Sequence, residues 1–422
     1  QNDAHFAIVG ELGSKRKAPL RSSAHFPVYP DFNFENCPQI DVLVIPGGYG
    51  SLLAVRNFRI IEFLKQQAIS AKYVVSVCTG SSLLAVAGLL DGKRATTNKA
   101  WFEQQTWYSE KTEWIWNARW VHEEGSNIIT ASGVSAGQDM GIYLAGLLFG
   151  EQVHKSLCMS LQYSMPLTQS DDPFAKILNR DWTLWKKFGF KMMEFFACYF
   201  VYTEIHRPIS ESKKLGKVVT LLGDGWDALD LAGVLEAACA LHSSYKMQLV
   251  SLNEEHLIVK GGDSQSKFLH QFINVECDVL MDWVGDGAKS GTLWGNLPVS
   301  IIFVPSLPSS QAELACRLVK RLQYLLEMGK IGRILTCGRT ILRQAENELK
   351  LNLQPFSLAE AVDKVGSWGK FSEQWIHAET GISGIPAFLT FVQEIAGSDV
   401  VIRGGQGMEI DPRLMPVGIE LK

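Results

Sequence analysis

The chain has 422 residues, a formal net charge of −4, and 46% hydrophobic against 20% charged residues. This length favours two domains, because single hydrophobic cores stop growing at roughly 250–300 residues. The 40 basic and 44 acidic residues leave no basic excess, which argues against a nucleic-acid-binding protein. The eight cysteines form no CxxC pair, so reduced thiols in a cytoplasmic protein fit better than a disulfide framework or a zinc module.

The sequence predicts no membrane span and no signal peptide. Its most apolar stretch, residues 192–202, contains Glu194 and is too short, because a membrane helix needs about 20 apolar residues. The chain begins at Gln1, and no basic and apolar leader pattern follows.

The first 150 residues alternate between strand and helix patterns. Short β-branched runs bounded by Gly or Pro predict buried strands, and spacings of three and four residues between apolar positions predict helices. The strands are expected at 6–9, 41–46, 73–77 and 127–131, and the helices at 60–71, at 81–90 before Asp91-Gly92, and from 134 to about 149. This alternation predicts an α/β fold with a doubly wound parallel sheet.

The second half of the chain repeats the first. Cys78 follows Pro46 at the same spacing as Cys337 follows Pro305, and the glycine-rich residues 132–140 match 380–388. We therefore predict two flavodoxin-like domains in tandem. Their expected bounds are 1–165 and 217–400, with a connector at 166–216 that holds an aromatic helix at 182–202, and a tail at 401–422.

The sequence around Cys78 predicts a reactive thiol. A buried strand runs directly into this cysteine and a helix follows at once, which is the pattern of a nucleophile elbow at the carboxyl edge of a sheet. The unsatisfied N–H groups of a helix N-terminus favour the thiolate. Gly47 and Gly48, after the neighbouring strand, leave room for backbone N–H groups of Gly48 and Thr79 to form an oxyanion hole.

Four segments together resemble the DJ-1/PfpI superfamily, and the Val-Cys-Thr-Gly and Ala-Gly-Leu-Leu-Asp-Gly motifs resemble its isonitrile-hydratase-like branch. The resemblance implies a flavodoxin-like sandwich, a dimeric assembly, and no metal or organic cofactor. It also implies that Cys78 is the nucleophile with oxyanion contacts from Gly48 and Thr79. The segments are residues 41–48, 75–81, 87–97 and 132–137, and the pocket positions are Gly47, Tyr49, Asn98 and Ser135.

Fusion of two copies suggests that the family's dimer is replaced by an intramolecular pseudo-dimer. Asp230 is the one residue at the family's acid position, so it is the candidate acid. Other elements of the second copy are eroded, which predicts a degenerate second site with Cys337 at its elbow. Arg339 is expected either to lower the pKa of Cys337 or to block the pocket.

The first copy departs from the family pattern at two places. Its first strand and acid-bearing turn are not visible, so either a segment upstream of Gln1 supplies them or the first domain is incomplete, and we favour the upstream segment. Asn98 stands where the branch often has histidine. A cysteine without an acid has less means to move protons during turnover.

Three functions remain open for a small-molecule site at Cys78. The thiolate adds to an isonitrile, or it acts on a reactive aldehyde such as methylglyoxal, or it is a non-catalytic redox or ligand sensor. A transcription regulator is disfavoured, because the residues after Asp399 are too few for a helix-turn-helix segment. The histidines show no HExxH or HxxxH pattern, so no metal site is expected. His122 and Asp139 are expected to be structural.

Overall fold

A computed structural model describes most of the chain. The described residues are 5–11, 20–21, 27–161, 163, 168–170, 172–177, 216–227, 230, 234, 245–261, 274–281, 283, 298–352, 354–355, 368–379, 381–407 and 415–416. The aromatic helix predicted at 182–202 lies outside these residues. Below, residues 5–177 are called the N-terminal half and residues 216–416 the C-terminal half.

The N-terminal half is a mixed α/β unit. Its described strands are β1 (Leu20–Arg21), β2 (Pro27–Val28), β3 (Val42–Ile45), β4 (Tyr73–Val77), β5 (Arg94–Ala95), β6 (Glu113–Trp114), β7 (Trp120–His122) and β8 (Ile128–Ala131). Its described helices are α1 (Ser51–Ala54), α2 (Phe58–Ala68), α3 (Ser81–Val86), α4 (Phe102–Thr106), α5 (Val134–Phe149), α6 (Glu151–Ser160) and α7 (Phe174–Ile177).

The main sheet of this half has the order β3-β4-β8-β7. Strand β4 pairs in parallel with β3 and β8, whereas β7 pairs antiparallel with β8. Val74 packs in the cluster formed with α2 and α3, and Val75 packs in the cluster formed with α5. Both valines are at most 1% exposed, as expected for a strand that is covered on both faces.

The C-terminal half is also mixed α/β and has a larger sheet. Its described strands are β9 (Gly216–Leu222), β10 (Tyr245–Ser251), β11 (Ile258–Lys260), β12 (Asn274–Glu276), β13 (Val279–Leu280), β14 (Val299–Val304), β15 (Ile331–Cys337), β16 (Gln354–Pro355), β17 (Trp368–Ser372) and β18 (Trp375–Ala378). Its described helices of more than one turn are α8 (Ala312–Glu327), α9 (Arg339–Leu349), α10 (Gly381–Ala396) and α11 (Ser398–Gly407).

The two main sheets share one connectivity. The C-terminal sheet has the order β13-β10-β9-β14-β15-β18-β17-β16, and β14, β15, β18 and β17 occupy the places that β3, β4, β8 and β7 hold in the N-terminal sheet. Strand β9 pairs in parallel with β14, but the described N-terminal residues contain no strand on the corresponding side of β3. This side of β3 is where the first strand of the fold, which the sequence also did not show, would pair.

Several predicted elements are shorter or shifted. The strand expected at 6–9 is a single parallel bridge between Val9 and Phe32, because no described strand lies beside it to extend the ladder. Helix α3 ends at Val86 rather than near residue 90, since Gly88 takes a φ of 73° that breaks the helix. The last helix, α11, crosses the boundary expected at residue 400.

The described start of the predicted connector packs on the N-terminal half. Gln169 accepts a backbone hydrogen bond of 2.8 Å from Arg119 N, and Phe174 is fully buried. The two halves also contact each other. Val28 of β2 pairs with Val275 of β12, and Ile142 of α5 lies in the same buried cluster as residues of β9 and α10.

None of the helices in the described ranges is long and apolar enough to cross a membrane.

Candidate active site

Cys78 lies at the carboxyl end of β4 in a backbone conformation that few non-glycine residues adopt. Its φ is 57°, whereas Val77 before it is extended, with φ −118° and ψ 138°. A short 3-10 turn, Cys78–Gly80, then leads directly into α3. A left-handed non-glycine residue costs of order 1–3 kcal/mol, and such residues cluster at functional sites. Cys78 is only partly buried, so the strained residue keeps some contact with solvent.

Two glycines let the elbow pack directly against the loop after β3. A Cβ on Gly47 would lie 2.7 Å from Cys78 Cβ and 2.8 Å from the backbone nitrogen of Thr79. A Cβ on Gly80 would lie 2.6 Å from the carbonyl oxygen of Ile45. Any side chain at these positions would push the loop and the elbow apart, so glycine is required here for close backbone approach.

The hydroxyl of Thr79 ties the elbow to the glycine loop. It accepts hydrogen bonds from the N–H of Gly48 at 3.0 Å and from Ser51 Oγ at 2.9 Å. The Gly48 N–H was expected to face a substrate oxyanion, but the Thr79 hydroxyl reaches back across the loop and engages it. The Thr79 hydroxyl thus holds the glycine loop against the elbow.

The loop after β5 holds the elbow from another side. Ser81 Oγ donates to Thr97 Oγ1 at 2.7 Å, and Thr97 Oγ1 donates to the carbonyl oxygen of Cys78 at 3.2 Å. The next residue, Asn98, is 2% exposed, and its Oδ1 accepts a hydrogen bond of 3.2 Å from Trp101 N. The buried Asn98 side chain therefore stabilises this loop by a hydrogen bond inside it.

Tyr49 connects the two loops. Its ring meets the ring of Trp101 edge to face, with centroids 6.3 Å apart and an interplanar angle of 89°. Tyr49 is 58% exposed, so most of its ring is open to solvent. Trp101 was not singled out from the sequence, because nothing in its spacing indicates that it lies beside Tyr49.

Ser135, the fourth predicted pocket residue, belongs to a buried ion-pair network at the start of α5. Arg119 Nη2 donates to Ser135 Oγ at 2.9 Å, and Arg119 Nε lies 2.6 Å from Asp139 Oδ2. The side chains of Arg119 and Asp139 are both 0% exposed. The same helix passes close to β4, since a Cβ on Gly137 would lie 2.9 Å from Val77 Cγ1. Asp139 thus lies in a buried ion pair, and its partner Arg119 was not identified from the sequence.

A second buried ion pair was also missed. Lys99 Nζ lies 3.1 Å from Asp172 Oδ2, with both side chains 0% exposed. The same ammonium donates to Thr96 Oγ1 at 2.9 Å and to the carbonyl oxygen of Ala118 at 2.8 Å. These extra hydrogen bonds offset the cost of burying two charges. The pair anchors the loop that carries Thr97 and Asn98 to the segment after α6.

His122 lies away from the elbow. Its Nδ1 is 2.8 Å from the hydroxyl of Tyr143, and its Nε2 is 3.0 Å from the carbonyl oxygen of Ser126. In β7 it pairs with Ile129, whereas Cys78 lies beyond the end of the neighbouring strands. The contacts of His122 are thus with Tyr143 and the loop at Ser126, and its structural role stays a prediction.

The second elbow differs from the sequence alignment by one residue. Val77 pairs with Ala131 in the first sheet, and Cys337 pairs with Ala378 in the second. Cys337 is therefore the counterpart of Val77, and Gly338, with a φ of 85°, is the counterpart of Cys78. The expectation that Cys337 stands at the elbow is wrong. The second elbow has no side chain that could act as a nucleophile.

Cys337 is buried beneath that elbow. Burial raises the pKa of its thiol well above the ordinary value, and the carboxylates of Asp230 and Asp227 raise it further. Arg339 is exposed at the start of α9, so the predicted lowering of the Cys337 pKa by Arg339 is wrong.

Asp230 forms hydrogen bonds at the second elbow. Its Oδ2 accepts hydrogen bonds from Ser306 N at 2.9 Å and from Ser306 Oγ. Ser306 in turn fills the space over Gly338, because a Cβ on Gly338 would overlap the Ser306 side chain. A nucleophile could not be restored there by changing Gly338 alone.

The described residues contain no group of three or more His, Cys, Asp or Glu side chains that could hold a metal ion.

The glycine loop and the strained elbow cysteine follow two neighbouring parallel strands, β3 and β4. A profile of the DJ-1/PfpI family matches residues 3–145. Residues 3–145, about a third of the chain, are therefore similar to the DJ-1/PfpI family.

Curated relatives match only part of the chain. Isonitrile hydratase of Pseudomonas putida is 36% identical over 150 residues, which are 36% of this chain and 64% of that protein. The HTH-type transcriptional regulator GbdR of Pseudomonas aeruginosa is 28% identical over 144 residues, covering 34% of this chain and 38% of the regulator. A deglycase of Pyrococcus abyssi is 31% identical over 99 residues, covering 23% of this chain and 58% of the deglycase. The chain thus spans less than two thirds of each of these relatives.

A THiJ/PfpI family protein from Pseudomonas syringae is among the similar solved structures. It is 27% identical, and the match covers 45% of this chain and 74% of that one, with a TM-score of 0.36. A TM-score this low carries no weight for the fold.

Proposed function

We propose that Cys78 is the nucleophile of a cofactor-independent enzyme that hydrates a small isonitrile to an N-substituted formamide. The observation that carries this proposal is the left-handed conformation of a partly exposed cysteine at the end of β4. The 36% identity to an isonitrile hydratase over 150 residues supports the choice of substrate. A free thiol nucleophile suits a reducing compartment, so we place the protein in the cytoplasm.

The proposed reaction adds one water molecule across the isonitrile carbon. The Cys78 thiolate attacks the terminal carbon of R–N≡C, and that carbon takes a proton, which gives a thioimidate. Water then adds to the same carbon and loses a proton to the nitrogen. The carbon–sulfur bond then breaks as the hydroxyl group loses its proton to water, which releases R–NH–CHO and restores the thiolate.

Proton delivery in this reaction is assigned to water. Asp230, the predicted acid, accepts its hydrogen bonds from Ser306 at the second elbow. The loops around Cys78 supply hydroxyl groups of Ser51, Thr79 and Thr97, which form hydrogen bonds with one another or with backbone atoms. These hydroxyls orient the loops, and they have no basicity suited to act as a general base at neutral pH.

The test is formamide formation from a panel of isonitriles, followed by NMR. Wild-type protein should produce formamide and Cys78→Ser should produce none. Cys37→Ser, which changes another free and partly exposed cysteine, should retain activity. Equal rates for wild type and Cys78→Ser would refute the proposal.

Action on reactive aldehydes is the second candidate, favoured by the deglycase relative. Consumption of methylglyoxal that depends on Cys78, without formamide formation, would assign this function instead. Oxidation of Cys78 by peroxide without turnover of either substrate class would assign a redox sensor.

We also propose that the C-terminal half acts as an internal partner of the N-terminal half, in a pseudo-dimer with a degenerate second site. The paired strands β2 and β12 and the shared cluster around Ile142 support this proposal. Light scattering should give the mass of one chain. A stable species of twice that mass would contradict the pseudo-dimer.

A further inference from the structure

We propose that Tyr49 and Trp101 form an aromatic mouth over Cys78 that selects isonitriles with an aromatic or similarly flat apolar substituent. This inference rests on the proposed function, because it names the substrate class of the same site. Neither the DJ-1/PfpI match nor any relative assigns a role to these two rings.

The position of the two rings follows from the loops that carry them. Tyr49 is two residues from Gly47, whose Cβ position would lie 2.7 Å from Cys78 Cβ. Trp101 is four residues from Thr97, whose hydroxyl donates to the Cys78 carbonyl at 3.2 Å. Both loops therefore contact the elbow, and the contact between the two rings, with centroids 6.3 Å apart, joins the loops to each other.

The exposure of Tyr49 indicates that its ring is available to a ligand. Tyr49 is 58% exposed between Gly48 and Gly50, so its ring adds little to the protein core. Its edge-to-face contact with Trp101 leaves a ring face uncovered. An exposed aromatic face beside a nucleophile is suited to stacking against a flat ligand.

The chemistry of an isonitrile directs its substituent toward these rings. The R–N≡C group is linear, so R points away from the sulfur when the terminal carbon approaches Cys78. The substituent therefore extends away from the elbow, and the two loops that contact the elbow carry Tyr49 and Trp101. Stacking of an aryl group there would favour it over a methyl group by up to about tenfold.

The test measures alkylation of Cys78, so it does not depend on turnover. Rate constants for iodoacetamide and N-benzyl iodoacetamide at Cys78 are obtained by peptide mass spectrometry, and their ratio is compared with the ratio for glutathione. In wild type the benzyl reagent should be favoured about five- to tenfold beyond glutathione. Tyr49→Ala and Trp101→Ala should each remove most of this preference.

Matched variants separate the ring effect from a folding defect. Tyr49→Phe keeps the ring and should keep the preference. Phe58→Ala removes another aromatic ring that is 79% exposed, and it should leave the ratio unchanged. If Trp101→Ala does not fold, Tyr49→Ala still decides, because its side chain is largely outside the core. A wild-type ratio equal to that of glutathione, or a ratio unchanged in Tyr49→Ala, would overturn the inference.

Formamide assays with phenyl and methyl isonitrile separate the inference from the proposed function. Turnover without an aryl preference in either assay overturns the aromatic mouth and leaves the hydratase standing. An aryl preference in alkylation without any formamide overturns the hydratase, whereas it supports selection by Tyr49 and Trp101.

Discussion

Cys78 and Cys337 have the same spacing from a proline in the sequence, but their surroundings differ. Cys78 is partly exposed at a left-handed elbow, whereas Cys337 is fully buried one residue before the second elbow. The raised pKa of Cys337 keeps its thiol protonated at neutral pH, and a protonated thiol is a poor nucleophile.

We therefore expect iodoacetamide to modify Cys78 in the native protein and to leave Cys337 unmodified. Peptide mass spectrometry between pH 6 and pH 9 gives both rates. In urea the two cysteines should react at similar rates, which provides the control. Equal native rates would show that the second elbow is open and that its register is misassigned.

At the residue scale, the sequence predicted what lies close along the chain. Cys78, Thr79 and Gly47 follow directly from strand ends and glycine content. The Arg119–Asp139 and Lys99–Asp172 pairs were not predictable, because their partners share no periodic spacing. The one-residue shift at Gly338 was not predictable either. The second copy has one more residue between Pro305 and its elbow than the first copy has after Pro46, and the coincidence of two cysteines at equal spacing made the copies look aligned.

At the scale of elements, the elbow depends on how closely α3 approaches the end of β3. Gly80→Ala would put a Cβ 2.6 Å from the Ile45 carbonyl oxygen, which is a backbone atom that cannot rotate away. We expect this change to lower the free energy of unfolding by about 2 kcal/mol or more and to slow formamide formation, as measured by urea unfolding and activity assays.

Gly141→Ala is the matched control for Gly80→Ala. Gly141 lies within α5, and a Cβ there would meet no atom within 4 Å. Alanine should stabilise this helix by up to about 1 kcal/mol. Equal effects of the two substitutions would show that the contact of Gly80 is not what holds the elbow.

The β18 strand carries a histidine that makes stability depend on pH. Burial lowers the pKa of His377 from its ordinary 6.5 to about 4, and Glu379 opposes this only in part. His377 Nδ1 lies 2.9 Å from Thr336 Oγ1, which also accepts from Trp375 Nε1 at 3.1 Å. The native state therefore holds this imidazole neutral.

Since the folded pKa is below the unfolded one, protonation favours unfolding. The stability from His377 is complete above about pH 6.5 and declines as the pH falls toward 4. Between pH 7 and pH 5 the loss is about 2 kcal/mol. His377→Asn keeps a polar group near the position of Nδ1 but does not titrate in this range. The free energy of unfolding of the variant, measured with urea, should therefore fall by less between pH 7 and pH 5. An identical pH dependence in both proteins would contradict this prediction.

At this scale the sequence predicted the strands and helices from β3 to α3, and β8 followed by α5, because each of these strands has a continuous apolar run. It failed at residues 6–9, where a β-branched run forms a bridge rather than a strand. A strand needs a neighbour as well as propensity, and the sequence does not show which neighbour is present.

For the whole molecule, the internal repeat predicted two sheets of the same connectivity. The boundaries were less predictable. Asp172 and Phe174 lie in the expected connector but pack into the N-terminal half, because burial and a charge partner outweigh the polar, turn-rich composition of their segment.

The shared cluster predicts that the halves stabilise each other. Ile142 is 5% exposed and packs with C-terminal residues, whereas Leu144, 8% exposed on the same helix, packs within the N-terminal half. Ile142→Ala should cost about 2–5 kcal/mol and accelerate hydrogen exchange in β9 and α10. Leu144→Ala should accelerate exchange mainly in β4 and β8. If both variants accelerate hydrogen exchange only in the N-terminal half, the two halves do not stabilise each other.

The sheet shared by the two halves cannot be completed until late in synthesis. Val28 of β2 pairs with Val275 of β12, which leaves the ribosome about 250 residues later. At about 5–20 residues per second this interval is roughly 12–50 s. During that time the nascent N-terminal half presents an edge whose own partner strand does not yet exist. Pausing or premature termination before residue 276 would leave this edge open to other chains, so early steps of synthesis are when the protein is most exposed to misassembly.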